Sequence, residues 1–232
     1  MKVIFFLYLF QNPYPVELCN QWNALYEKIQ YGSVDRKENG KVLRHIVKQL
    51  RELVTVPQDS VFFFPIGGYH VASVGGNGSG FIERKYNFLH GNAHRGHPAH
   101  DIFIHDADQN GLDDNTGKPA YVIAMTDGIV LGAKTNWTEP DTLRGGNYLM
   151  LYNPNLDRYY YYAHNNQILV QVGDIVRAGT RIATVGRSGR NAFPKRSPTH
   201  LHLMVLQITD EKGMPYNYYQ ELVTSRRTQI QN

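Results

Sequence analysis

Length, composition and charge limit the kinds of protein that this sequence can encode. The chain has 232 residues, 42% of them hydrophobic and 19% charged, which is an ordinary globular composition. At about 150 residues per domain, it forms one large domain or two small ones with a sizeable core. The modest charge and an aromatic content of 12% exclude a disordered chain. The net charge of +4 is spread out and no basic nucleic-acid motif accompanies it, so we expect no nucleic-acid partner.

The first residues have the pattern of an export signal. Lys2 precedes an apolar run at residues 3–10, and polar, Pro-containing sequence follows. The run is too short for a transmembrane helix, and a buried first strand is the alternative interpretation. Glu17 makes the segment before Cys19 a poor lipoprotein signal. We predict a signal peptide at residues 1–18 and an exported protein, located in the periplasm, the envelope or the medium.

Residues 19–56 are predicted to form a helical N-terminal segment that packs against the main domain or spaces it from an anchor. Apolar residues recur there at helical spacing in two stretches. Gly32-Ser33 and Asn39-Gly40 interrupt the pattern, which favours two helices joined by a polar turn. The apolar residues of the two stretches are Leu18, Trp22, Leu25 and Ile29, then Val42, Ile46, Val47 and Leu50.

From residue 57 to residue 232 the pattern is that of a β domain. Short β-rich runs are separated by Gly, Pro, Asn and Asp, with little helical periodicity between them. This pattern predicts a mostly β fold, with antiparallel sheets arranged as a sandwich or in a barrel-like form. The predicted strands are 61–64, 81–88, 102–104, 121–125, 128–131, 148–152, 159–163, 182–185 and 200–208.

Histidines are the residues that point most directly to chemistry. Cys19 is the single cysteine, so neither an intrachain disulfide nor a zinc site built on several thiolates is possible. A transition-metal site would therefore use imidazole and carboxylate groups. Six of the ten histidines lie between residues 70 and 105, and His164, His200 and His202 follow downstream.

His200 and His202 form the cleanest of these signals. The sequence around them has a strand composition, and alternation along a strand places both imidazoles on one face. Leu201, Leu203 and Val205 would then face the core. Two adjacent imidazoles repel each other when both are protonated, so a metal ion or an acidic partner is a natural explanation.

His97 and Asp101 form a second pair, with the spacing H-x-x-x-D. In a fully extended chain their Cα atoms would lie about 13 Å apart, too far to bind one metal ion. The chain must therefore bend between them, and the intervening proline favours an irregular path. His94, His100 and His105 are rival donors, and spacing alone does not choose among them.

Two further loops have incomplete binding motifs. The glycine-rich segment 75–80 lacks the Lys-Ser/Thr ending of a phosphate-binding loop and precedes a predicted strand, so we interpret it as a flexible turn. The acidic segment 106–114 opens like an EF-hand loop. Gly117 occupies the twelfth position, where that loop needs a bidentate Glu. A solvated acidic turn is the prediction there, with a calcium site as the alternative.

The catalytic options that remain also centre on histidine. The sequence contains no H-E-x-x-H or G-x-S-x-G motif, and no glutamate lies near these histidines in sequence. If the chain is a metallohydrolase, its general base or transition-state stabiliser is therefore expected to be a histidine.

The motifs together resemble those of the M23 (lysostaphin/LytM-type) zinc peptidases, over residues 64–206 and in the family's order. The resemblance implies a zinc ion bound by His97, Asp101 and His202, with His164 and His200 as catalytic residues that do not bind the metal. It also implies a β-rich catalytic domain. The motifs are His97-x-x-x-Asp101, Tyr162-Ala163-His164, Gly173-Asp174-x-Val176-x-Ala178-Gly179, Gly186-x-x-Gly189 and His200-Leu201-His202.

The function implied by this resemblance is a zinc endopeptidase that hydrolyses peptide bonds in peptidoglycan. The alternatives are a non-catalytic, M23-like regulator of cell-wall hydrolases and a biotinyl- or lipoyl-type carrier. The lysine that a carrier modifies is missing from this sequence. A non-catalytic regulator would not need residues at all three zinc-ligand positions, yet all three are filled here. Asn165, Thr199 and a longer insertion at residues 191–198 depart from the family pattern.

Overall fold

The computed structural model describes residues 13–57, 61–209 and 212–228. Three α-helices lie in these ranges: α1 (Pro13–Gln30), α2 (Arg36–Leu53) and α3 (Tyr219–Thr224). No helix among the described residues has the length and apolar character needed to span a membrane. The apolar run at residues 3–10 lies outside the described residues.

Ten described strands form two open antiparallel sheets. The large sheet has the order β1-β9-β5-β4-β3-β7, with β10 paired to the C-terminal half of β9, and the small sheet has the order β2-β8-β6. The predicted mostly β fold behind a short helical region is confirmed, as a pair of open sheets. The strands are β1 (Ala99–Phe103), β2 (Tyr121–Ile123), β3 (Gly128–Lys134), β4 (Tyr148–Asn153), β5 (Arg158–Ala163), β6 (Asn165–Ile168), β7 (Ile175–Val176), β8 (Arg181–Val185), β9 (His200–Thr209) and β10 (Lys212–Pro215).

The helices and the two sheets form three layers with the large sheet in the middle. Alternate residues of its strands face opposite cores: on β4, Tyr148 and Met150 pack against α1 and α2, whereas Leu149 and Leu151 pack against the small sheet. All six residues of β4 are buried, because the strand is covered on both faces.

The N-terminal helices belong to the same core as the large sheet. α1 begins at Pro13, so the predicted boundary after residue 18 falls inside a helix, and Leu18 and Cys19 are both buried. The predicted second break, at Asn39-Gly40, is wrong because both residues lie inside α2. Gly40 is tolerated there because its missing side chain leaves room for Leu89.

The turn between the helices lies where the first predicted break indicated. α1 ends at Gln30 and α2 begins after Asp35, whose carboxylate accepts a hydrogen bond from the backbone N–H of Glu38 at 2.7 Å. This contact satisfies one of the free N–H groups at the start of α2.

The strand predicted at residues 81–88 is wrong. Only Ile82 forms a bridge, with His97, and Lys85 has a positive φ of 67° that ends the extended path. Ile82 is 53% exposed, so the segment has no apolar face buried against a neighbouring strand. A 3₁₀ segment, Phe88–Ala93, follows. Residues 61–64 likewise form only an isolated bridge, between Phe63 and Arg226.

Replacing Trp22 by Ala should destabilise the whole protein, because this side chain joins the helical layer to the large sheet. Trp22 is fully buried, and its ring lies 4.8 Å from Tyr26 and 5.7 Å from Tyr159 between ring centroids. We expect the free energy of unfolding to fall by about 3–5 kcal/mol in urea titrations. Leu53→Ala, at an exposed position of α2, is the control. A loss below about 1 kcal/mol for Trp22→Ala would show that the helical layer contributes little.

Candidate metal centre

Strand pairing brings the downstream histidines next to Asp101. In the antiparallel register, Asp101 of β1 lies directly opposite His202 of β9, and Ala163 of β5 lies opposite His202 on the other side. His164 follows Ala163 immediately. The three segments therefore converge on one face of the large sheet, beyond the end of α1.

A single carboxylate oxygen lies at the centre of this cluster. Oδ1 of Asp101 lies 2.9 Å from Nδ1 of His202 and 3.2 Å from Nε2 of His97. Nε2 of His200 lies 3.8 Å from the same oxygen. Donor atoms of His97, Asp101 and His202 all lie within 4.8 Å of one another, so this group could hold a metal ion. The side chains of His97 and Asp101 are 33% and 27% exposed, which leaves the centre open to a ligand.

Backbone carbonyl groups orient three of the imidazoles through the ring nitrogen Nδ1. The pairs are His97 with Gly80 at 2.9 Å, His164 with Ser188 at 2.9 Å and His200 with Pro198 at 2.7 Å. Because a carbonyl oxygen only accepts, each Nδ1 carries a proton, so a neutral His164 or His200 presents the lone pair of its Nε2. The hydrogen bond between Nε2 of His97 and Asp101 raises the pKa of His97 and favours the protonated form of that ring beside the carboxylate. The glycine-rich turn thus has a role that its sequence motif does not indicate.

His164 occupies the point where the chain passes from one sheet to the other. β5 of the large sheet ends at Ala163, and β6 of the small sheet begins at Asn165. His164 has a φ of 65°, in the left-handed region that residues with side chains seldom adopt, and its N–H donates to the Gly145 carbonyl at 2.9 Å. Such strain is found most often at functional sites.

Asn165 and Ser188 form the support beneath His164. The Asn165 side-chain amide donates to the carbonyl groups of Tyr162 at 2.9 Å and Asn147 at 3.3 Å. The Ser188 hydroxyl group donates to the Asn165 carbonyl at 2.7 Å, while the Ser188 carbonyl accepts from His164. The departure from the family pattern at Asn165 is thus a buried side-chain amide that links β5 to the residue before β4.

Thr199 ties the acidic loop to the start of β9. Its hydroxyl group lies 2.6 Å from Oδ2 of Asp106, and it directly precedes His200. Carboxylate oxygens of Asp106, Asp108 and Asp114 lie within 4.8 Å of one another, and those of Asp106 also accept backbone N–H groups of the loop. These contacts fit the predicted acidic turn, which stays a prediction.

The insertion at residues 191–198 is held by one arginine. The Arg187 guanidinium group donates to the carbonyl groups of Ser197 at 2.7 Å, Pro194 at 3.1 Å and Phe193 at 3.3 Å. It also donates to the Thr199 hydroxyl group at 3.2 Å. These hydrogen bonds fix the insertion in place directly before β9, the strand that contains His200 and His202.

Burial and hydrogen bonding shift the pKa values of the cluster. Burial raises the pKa of Asp101, but hydrogen bonds with His202 and His97 outweigh it and hold the pKa of this carboxyl group well below its usual range. Burial lowers the pKa of His202, and burial with the nearby His200 lowers that of His164 well below its usual value. A carboxylate with neutral imidazoles at His164 and His202 is therefore favoured, in the forms that can bind a metal ion or accept a proton.

The rival histidines are not part of the cluster. His100 lies on the opposite face of β1 from Asp101, where its Nε2 is 3.0 Å from Oδ1 of Asn217. His105 is exposed beyond the end of β1. His94 lines the neighbouring pocket, and burial lowers its pKa to about 4.

The family follows from a match over the region that contains β2 to β10. Residues 107–217 match the family model described as peptidase family M23, and this range includes His164, His200 and His202. This region of the chain belongs to peptidase family M23. His97 and Asp101 lie before the matched range, and Asp101 is in β1, which pairs with β9.

Three solved structures of peptidases or candidate peptidases are similar to this chain. The lysostaphin catalytic domain from Staphylococcus simulans is 22% identical, with a TM-score of 0.39, over 61% of this chain and 87% of that one. A protein from Ruminococcus gnavus, named as a candidate glycyl-glycine endopeptidase LytM, is 20% identical, with a TM-score of 0.49, over 96% of this chain and 91% of that one. A zinc-containing peptidase from Vibrio cholerae is 25% identical, with a TM-score of 0.39, over 63% of this chain and 37% of that one.

Proposed function

We propose that this M23 protein is a zinc-dependent endopeptidase that hydrolyses peptide bonds in the cross-links or stems of peptidoglycan. The observation that carries the proposal is the convergence of His97, Asp101 and His202 on one point, with His164 and His200 beside them. Peptidoglycan as substrate also implies an exported protein, as the basic start and apolar run at residues 2–10 predict.

The donor set fits zinc. Tetrahedral zinc with bonds of about 2.0–2.1 Å places its donor atoms roughly 3.3 Å apart. Oδ1 of Asp101 already lies 2.9 Å and 3.2 Å from the nearest nitrogens of His202 and His97. Two imidazoles and one carboxylate leave one of four positions for water or substrate, as catalytic zinc sites require. A bound zinc ion would polarise the scissile carbonyl and lower the pKa of a water molecule toward about 7.

His164 and His200 are the proposed proton carriers. His164 is buried and kept neutral by its lowered pKa, and Ser188 holds its Nδ1–H, so its Nε2 can accept a proton from the attacking water. His200 is oriented in the same way by Pro198, and in its protonated form its Nε2–H would donate a hydrogen bond to the oxyanion or a proton to the leaving amine. Neither residue needs to bind the metal ion for these roles.

Digestion of purified peptidoglycan sacculi by the zinc-loaded protein tests this function. Mass spectrometry should find fragments with new amine and carboxyl ends in the peptides and intact glycan strands, and a chelator should stop their release. Stoichiometric zinc without peptide cleavage would instead favour a non-catalytic regulator. A protein that binds no zinc would overturn the metal assignment.

A further inference from the structure

The pocket that adjoins the metal centre contains one fixed cation. Its lining includes His97, His164 and His202 together with Arg144, from the loop between β3 and β4. None of the described residues that line it carries a carboxylate. The other lining residues are Tyr26, Gln30, Tyr86, Phe88, Gly91, Asn92, His94, Gly96, Gly145, Tyr161, Asn191 and Met204.

Arg144 is held in place by backbone carbonyl and side-chain amide groups. Its Nη2 donates to the His94 carbonyl at 2.7 Å, and its backbone N–H donates to the Asn92 side chain at 2.8 Å. Its carbonyl accepts from the Asn191 N–H at 3.3 Å. No carboxylate forms an ion pair with Arg144 in the part of the chain that the structure describes. The guanidinium group is half-buried, so much of its charge is removed from water without a counter-ion.

Tyr161 supplies a second donor beside Arg144. Burial raises the pKa of Tyr161, and the positive charge of Arg144 partly offsets this shift, as expected for neighbours. The Tyr161 hydroxyl group lies against Gly145, where an added Cβ would collide with it. Tyr161 lines the pocket, and over the described ranges its hydroxyl group has no hydrogen-bond partner, so the group can donate to a ligand there.

We propose that Arg144, assisted by Tyr161, binds a carboxylate of the substrate peptide close to the scissile bond. This proposal rests on the proposed peptidase function and names its substrate class, an acidic peptide. An arginine recognises a carboxylate through charge-assisted and often bidentate hydrogen bonds. Because the pocket also contains the metal ligands, the carboxylate belongs to a residue next to the cleaved bond. It is either a side-chain carboxylate or the free C-terminus of the peptide.

Matched acid and amide peptides test the selectivity. The substrate is a synthetic peptide with the bond that sacculus digestion identifies, made with both carboxylates, with only the side-chain carboxylate amidated, and with only the C-terminus amidated. We expect the wild-type protein to prefer one acid form by about 10- to 100-fold in kcat/KM, the usual effect of a charge-assisted hydrogen bond. If amidation of one carboxylate lowers kcat/KM by this factor and amidation of the other does not, the first is the carboxylate that binds.

Arg144→Gln should bring the acid-to-amide ratio close to one, mainly through KM for the acid peptide. Arg144→Lys keeps the charge and should retain part of the preference, which separates charge from a folding defect. Arg190→Gln, at an exposed arginine on the facing loop, is the control and should keep the wild-type ratio. An unchanged ratio in Arg144→Gln would overturn the proposal.

A binding measurement separates this proposal from the peptidase function. If the wild-type protein cleaves no peptide, the peptidase function fails. Fluorescence anisotropy with a labelled Ala-γ-Glu-Lys-Ala peptide and its amidated forms then measures the same preference without turnover. Acid-selective binding that Arg144→Gln abolishes would support the anion site, and equal binding of the acid and amide forms would reject it.

Discussion

His202→Ala should bind less than about a tenth of an equivalent of zinc and lose activity by at least about 10³-fold, since two of three ligands do not hold a catalytic zinc ion. His202 lies opposite both Asp101 and Ala163 in the sheet, so the substitution removes one of the three proposed ligands from the centre of the cluster. Zinc content by elemental analysis and peptide release from sacculi measure the two effects. His97→Ala should behave in the same way.

His105→Ala is the matched control for the ligand substitutions. His105 follows β1, the strand that contains Asp101, but it is exposed and apart from the cluster, so its loss should change neither the zinc content nor the rate. If His97→Ala and His202→Ala keep a full equivalent of zinc, the ligand assignment is wrong. His94, His100 and His105 would then have to be tested as donors.

His164→Ala is expected to keep its zinc and to turn over about 10²-fold more slowly or worse, the usual scale for losing acid–base help or an oxyanion donor. His164 comes from a different strand than the proposed ligands and is held by Ser188, so its removal should leave the donor set intact. Zinc content and kcat, measured on the same preparation, separate binding from chemistry.

His164→Asn controls for the unusual backbone at this position. The φ of 65° is strained for Ala but is adopted more readily by Asn. Both variants should lose turnover equally if the imidazole matters, whereas only Ala should lose activity if the backbone matters. A parental rate in His164→Ala would refute the two-histidine mechanism. His200 is a less clean test, because its Nε2 lies 3.8 Å from Asp101 and its loss can disturb the metal site.

Local sequence patterns were sufficient to predict the buried face of those elements whose two faces differ in burial. Alternation along β9 predicted that His200 and His202 share a face while Leu201, Leu203 and Val205 face the core, and all three of these apolar residues are fully buried. Helical spacing likewise predicted the packing face of α1, since Leu18, Trp22 and Ile29 are buried. Such patterns depend only on residues that are near in sequence.

Local sequence patterns predicted the wrong element where the presence or absence of a partner distant in sequence decides the structure. The run at residues 81–88 has a strand composition, but no neighbouring strand covers it, and Lys85 turns the chain instead. Asn39-Gly40 has the composition of a turn, yet it continues α2 because Leu89 packs against Gly40. Propensity is a weak guide when tertiary packing opposes it.

Residue spacing left the choice of donor residues open, and apart from the family resemblance only the tertiary structure distinguishes them. His94, His97, His100 and His105 are equally plausible by spacing, and only the register of β1 against β9 places Asp101 opposite His202 and turns His100 to the other face. The carbonyl groups that orient the rings and the placement of Arg144 beside the metal centre have no sequence motif, because they depend on loops brought together from distant parts of the chain. The sequence by itself determined the residue types, the strand faces and the family. Long-range strand pairing decided which of those residues meet.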